Sequence, residues 1–217
     1  MQKIFEGIVY DVVAKNDGII FFCRDDEDSP VCVKMLSFSD GRMIDVGLTV
    51  YAGSKLGNDY HTVVKYCDNY VFDHVIPLPS GRLFLCTEKG QAYLFSPNGE
   101  LSWSGEIKYR DRAPSGMDFY KNGLWACFKE NDVLMRFNLN TMRADLRIGG
   151  KDSPFQSPED IFISEDSAIV CSKSELIKVN LESYAVETYN VFEENVHRYL
   201  RSGKYEFVVL DSGLYVI

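Results

Sequence analysis

Five times along the chain an apolar run ends on a small residue just before a polar hairpin tip. The marked residues are Cys23 in "GIIFFC", Cys86 in "GRLFLC", Cys127 in "NGLWAC", Cys171 in "DSAIVC" and Val209 in "YEFVV". Cys86 and Cys127 are 41 residues apart, Cys127 and Cys171 are 44 apart, and Val209 follows after 38 more. Cys23 opens the series 63 residues before Cys86. Such a return constrains the fold more than any local propensity, because a repeated unit must bury its apolar face against copies of itself. Each marked stretch reads as a β-hairpin. An apolar segment precedes each one ("IVYDVVA", "YVFDHVIPL", "GMDFY", "EDIFIS", "VHRYL"), and a fourth follows all but the last ("RMIDVGLTVY", "ELSWSGEI", "RADLRIG", "AVETYNV"). Four short strands every 40 to 45 residues is the period of a β-propeller blade.

The fifth unit stops at Ile217 after three strands, while residues 2–8 at the N-terminus are left over. An unpaired outer strand exposes a row of backbone donors and acceptors, so the N-terminal strand is expected to complete the last blade. The fold expected is all-β: one domain over 1–217, a five-bladed β-propeller of four-stranded antiparallel blades, with an insertion around 52–70. A content of 46% hydrophobic and 13% aromatic residues suits a packed, strand-rich core of this kind.

The stretch "APSGMDFYKNGLWACFKENDVLMRFNL" resembles a blade of the NHL or gluconolactonase-like propellers, which run Pro-x-Gly, apolar strand, turn, apolar strand, charged tip. "SPEDIFISEDSAIVCSKSELIKVNL" is a second copy without the Gly, and "LFSPNGELSW" is similar to an Asp-box hairpin with Asn98 where Asp is usual. The likeness covers the architecture and singles out no one family; the WD dipeptide is absent. It implies innermost strands around a central channel, with ligands near the strand starts. Twelve residues before the marked positions stand Asp11, His74, Ser115, Glu159 and His197, all polar. Two residues further on stand Val13, Ile76, Met117, Ile161 and Tyr199.

Two imidazoles and two carboxylates on one level have the ligand types of a divalent-metal centre, whose water could hydrolyse an ester or lactone. Asp11 with Glu159 could instead form a glycosidase pair. A polar rim is also what strand alternation supplies without any ligand. The Glu, Asn and Asp that hold the metal in gluconolactonase-like enzymes find no counterpart set here. No other cofactor is implied, since nucleophile-elbow, phosphate-loop and dinucleotide motifs are missing.

A net charge of −9 without a concentrated basic patch argues against nucleic acid. No stretch reaches the ~18 apolar residues of a membrane span, and no leader pattern precedes the first strand, so the chain reads as soluble and cytoplasmic. The six cysteines lack C-x-x-C or zinc spacing and read as reduced, buried thiols. Two features favour a non-catalytic binding module, a monomer or a subunit of a larger assembly, for a protein partner or small ligand. One is the tip Asp25, Asp26, Glu27 and Asp28, which lacks calcium-loop spacing and reads as a solvated turn. The other is the insertion with Tyr51, Tyr60, His61, Tyr66 and Tyr70, since tyrosine is a favoured contact residue. By analogy with propellers these features share the face that carries the polar level.

Overall fold

The computed structural model describes residues 1–56, 63, 66 and 73–217. β1 (Gln2–Glu6) precedes a first sheet of β2 (Ile8–Lys15), β3 (Gly18–Arg24), β4 (Cys32–Ser37) and β5 (Met43–Val46), followed by helix α1 (Leu48–Leu56). The second sheet is β6 (His74–Pro77), β7 (Leu83–Cys86), β8 (Gln91–Phe95) and β9 (Leu101–Glu106). The third is β10 (Gly116–Tyr120), β11 (Gly123–Phe128), β12 (Val133–Asn138) and β13 (Arg143–Gly149). The fourth is β14 (Pro158–Ser164), β15 (Ser167–Ser172), β16 (Glu175–Asn180) and β17 (Val186–Val191). The last strands are β18 (Val196–Ser202), β19 (Tyr205–Leu210) and β20 (Gly213–Val216), and their sheet has the order β1-β20-β19-β18. Five four-stranded antiparallel sheets make the fold class a five-bladed β-propeller, as the repeat predicts.

The chain falls into two compact units, Met1–Val71 with Arg198–Ile217, and Phe72–His197. In the first, β1 pairs antiparallel with β20 through Gln2↔Val216, Lys3↔Tyr215, Phe5↔Leu214 and Glu6↔Gly213. Phe5 is buried and its ring lies 5.3 Å from that of Phe21 in β3. The N-terminal strand thus completes the last blade. In the second unit the inner strands β6, β10 and β14 are neighbours. The Pro-x-Gly motif has its reason there: a Cβ on Gly116 would stand 2.5 Å from the Cα of Asp160, so β10 and β14 approach closely only without a side chain.

Why a cysteine closes these strands follows from burial. The second strand of each blade is covered on both faces, hence its continuous apolar text, whereas the fourth strands β5, β9, β13 and β17 are largely exposed. Cys23, Cys86, Cys127 and Cys171 are all 0% exposed, and Val209 occupies the same place in β19. Burial pushes the Cys86 thiol up to about 12 and raises those of Cys23 and Cys127 as well. All five described cysteines are free thiols, and Cys67 lies outside the described residues. We expect at least four thiols to react with an aromatic disulfide reagent only at the rate of unfolding, with half-exposed Cys32 reacting in the native protein. Six fast thiols under native conditions would contradict this packing.

One segment departs from expectation. "RMIDVGLTVY" does not continue as a strand: β5 ends at Val46 and Leu48 opens α1. Thr49 and Val50 are poor helix formers, so burial of Tyr51, Ala52 and Leu56 decides the conformation against local propensity. Among the described residues no helix is long and apolar enough to cross a membrane.

Candidate functional site

The residues of the polar level are placed by strand starts, but the equal 12-residue step needs correcting. His74 is indeed opposite Cys86, whereas Cys127 and Cys171 face Gly116 and Asp160, one residue later than Ser115 and Glu159. A register shift between Pro158 and Asp160 leaves Glu159 as the extra residue of a bulge, and Tyr10 is the extra residue between Val9 and Asp11. Bulges re-aim side chains, and the one in β14 leaves Glu159 in contact with His197. His74 Nε2 donates to the Pro114 carbonyl at 3.2 Å, Ser115 Oγ to the Pro158 carbonyl at 2.7 Å, and His197 Nδ1 to Glu159 Oε2 at 2.6 Å. Each bond joins the inner-strand start of one blade to that of the next. The polar residues act as stitches between blades.

Glu159 holds two partners, because Lys129 Nζ engages Oε1 while His197 occupies Oε2. Half-burial works to raise its carboxyl, and the hydrogen bonds and electrostatic attraction of His197 and Lys129 outweigh that and lower it. Among the described residues no group of three or more His, Cys, Asp or Glu could hold a metal ion.

Asp11 has a separate role in the first unit. Lys55 Nζ and the Tyr51 hydroxyl both donate to its Oδ2 at 2.5 Å, and Arg198 Nε lies 3.6 Å from Oδ1 while donating to the Tyr10 carbonyl at 3.0 Å. Burial pushes the Asp11 carboxyl up, but the Lys55 and Arg198 charges with the two hydrogen bonds reverse this and hold it at about 2. Tyr51, expected at a partner surface, is 0% exposed with its ring stacked 5.4 Å from Phe22, so burial removes it from any contact surface. Tyr66 is half-buried, and Tyr60, His61 and Tyr70 lie outside the described residues. The tip Asp25, Asp26, Glu27 and Asp28 is exposed; Asp26 Oδ1 accepts from Asp28 N, Ser29 N and Ser29 Oγ, and this capped turn accounts for the acidic run.

What the sequence reading missed is a cleft built beside the stitches. Loops at one end of the third and fourth blades, with the approach to β18, enclose about 600 Å³ lined by Lys129, Asp132, Gln156, Glu159, Lys173 and His197 among others. Asp132 anchors the floor: its Oδ1 accepts from Ser157 N at 2.7 Å and its carbonyl from Ser153 Oγ at 2.5 Å. Lys173 makes no side-chain hydrogen bond or ion pair among the described residues. A second hollow of about 440 Å³, lined by Lys89, Arg112, Ser115, Lys129 and Glu130 among others, lies across Lys129 from the first. The signal was present in the text as charged hairpin tips, "KENDV" and "SKSEL", which only the fold brings together.

Blades of this form, with polar stitches at their strand starts and recesses between their loops, place the chain in the β-propeller class. Among solved structures it is similar to virginiamycin B lyase from Staphylococcus aureus, at 12% identity over 95% of this chain and 64% of that one, with a TM-score of 0.52. It is likewise similar to BBS1N in complex with ARL6DN (14% identity, 95% and 62% covered, TM-score 0.52) and to U3-55K (11%, 97% and 61%, 0.54). At such identities the likeness is one of fold alone, and the chain spans less than two thirds of each of these three. No family model matches the chain, and no curated protein matches it in sequence.

Proposed function

We propose that the chain is a single cytoplasmic propeller domain that binds a protein partner or small ligand without catalysis, through the loops around the 600 Å³ cleft. The observation that carries this reading is the state of Glu159. A general base needs an open lone pair aimed at substrate, and each oxygen of this carboxylate already takes a hydrogen bond, from Lys129 and from His197. The cleft around it is wide, loop-built and polar, with Lys173 and Gln156 available for contacts. A fold neighbour, BBS1N, is found in complex with another protein, which agrees with such use of the fold.

Deleting part of the 52–70 insertion is a poor test, because a cut beginning at residue 55 also takes Lys55 away from Asp11. Surface substitution is cleaner. Immobilised wild type is compared with a Gln156→Ala, Lys173→Glu variant of unchanged melting temperature, and bound proteins and metabolites are quantified by mass spectrometry. The expected result is one binder reduced at least tenfold on the variant. Equal recovery of every binder on both would remove the cleft from consideration.

A further inference from the structure

β11 runs from Gly123 at one end of the third blade to Phe128, next to the cleft, at the other. At the Gly123 end a third cavity, of about 290 Å³, is lined by Tyr120, Gly123, Trp125, Arg136, Glu182 and Tyr184 among others. The register shows how the sequence makes it. Gly123 lies opposite Asn138, and Trp125 lies opposite Arg136. A missing side chain, an indole and a long cation therefore share one face of the sheet.

Trp125 is 0% exposed, and its Nε1–H has no hydrogen-bond partner among the described residues. An indole nitrogen can only donate, and folded proteins seldom leave a buried donor unanswered. The space beside this donor is left by Gly123 and taken up by the stem of Arg136: a Cβ there would stand 3.5 Å from Trp125 Nε1 and 2.7 Å from Arg136 Cδ. Arg136 closes the space from the other side, with its guanidinium carbon 5.9 Å from the centre of the indole.

The charges around the cavity already answer one another. Arg136 Nε donates to Asp145 Oδ1 at 2.8 Å, and Nη1 reaches the Tyr184 hydroxyl at 3.4 Å. Glu182 Oε1 accepts from Lys121 Nζ at 2.5 Å and from the Tyr120 hydroxyl at 2.6 Å. A charged ligand would add a charge of its own beside these pairs, whereas a neutral carbonyl asks only for the unanswered N–H once Arg136 has moved. Arg136 and Asp145 are about a third exposed, and an ion pair that wet yields easily.

We propose that this cavity is a binding site for a small neutral ligand bearing an amide. Its carbonyl accepts from Trp125 Nε1 and its flat amide lies against the Trp125 and Tyr184 rings, while Arg136 swings aside to admit it. The site is independent of the cleft at the other end of the blade, so either can fail without the other.

The chain has two tryptophans, and hence two indole N–H signals in a nitrogen–proton correlation spectrum, told apart with Trp103→Phe. Titration with N-acetyl-alaninamide is expected to move the Trp125 signal saturably and to leave that of Trp103 in place. Acetate, with the same acceptor atom but a charge, binds at least tenfold more weakly. Gly123→Ala, which fills the space, weakens the amide at least tenfold, and Arg136→Ala, which keeps the donor and lifts its cover, strengthens it. The proposal is overturned by a Trp125 signal that does not saturate, by acetate binding as well as the amide, by undiminished binding in Gly123→Ala, or by weaker binding in Arg136→Ala.

Discussion

Asp11→Ala is expected to destabilise the protein by roughly 3–5 kcal/mol, the usual penalty for removing one member of a buried ion pair. For a chain of this length that lowers the thermal midpoint by roughly 6–20 °C. The loss is large because Lys55 is 12% exposed at its side chain and keeps its charge in a place that water does not reach well. The Tyr51 hydroxyl loses its acceptor at the same time. Asp11→Leu combined with Lys55→Met removes the buried pair and leaves Arg198, whose side chain is 27% exposed, so that part of the stability returns. The pH dependence has a definite sign. The Asp11 carboxyl is lowered from 3.8 to about 2 in the folded chain, so its contribution is complete above pH 4 and is lost as the pH falls through about 2. Melting curves at pH 7 and pH 3 for wild type and Asp11→Ala test this: the difference shrinks at the lower pH. A difference under about 1 kcal/mol at pH 7 would mean that Asp11 behaves as a solvated surface pair.

Gly213→Ala is expected to detach β1. Gly213 has φ +138, a region nearly closed to other residues, and a Cβ there would stand 2.0 Å from the Phe5 carbonyl oxygen. Backbone strain of roughly 1–3 kcal/mol adds to the collision, and the collision is relieved only by moving β1 away. Phe5 then leaves its contact with Phe21, a further loss of roughly 1.5–3 kcal/mol. Trypsin should cut after Lys3 many times faster than in wild type, and the bared edge of β20 should promote association at high concentration. Gly203→Ala is the control: its φ is +60 and a Cβ there meets nothing within 4 Å, so it reports strain without collision. If cleavage after Lys3 is no faster in Gly213→Ala than in this control, β1 is not held by the β20 pairing.

The blades were legible because burial on both faces writes itself into the second strand as an unbroken apolar run, and the period follows from counting such runs. The polar level was legible as residue types but not as chemistry. Sequence shows that His74, Ser115, Glu159 and His197 recur; whether they converge on a ligand or reach a neighbouring carbonyl depends on one-residue bulges, and Glu159 occupies one of them. Tyr51 misled for a different reason. A tyrosine beside an insertion is read as a contact residue, yet a buried carboxylate 40 positions earlier claims its hydroxyl, and no local pattern announces a pair so far apart. The Trp125 cavity was hidden because it depends on an absence, the side chain that Gly123 lacks beside a residue two positions on.

The pairing of β1 with β20 also sets an order of events during synthesis. β1 is made before its partner β20, so Phe5 stays uncovered while the four blades between them are already able to form. Cooperative completion therefore waits for β20, and a ribosome stalled before residue 213 would hold a β1 that chaperones can still seize.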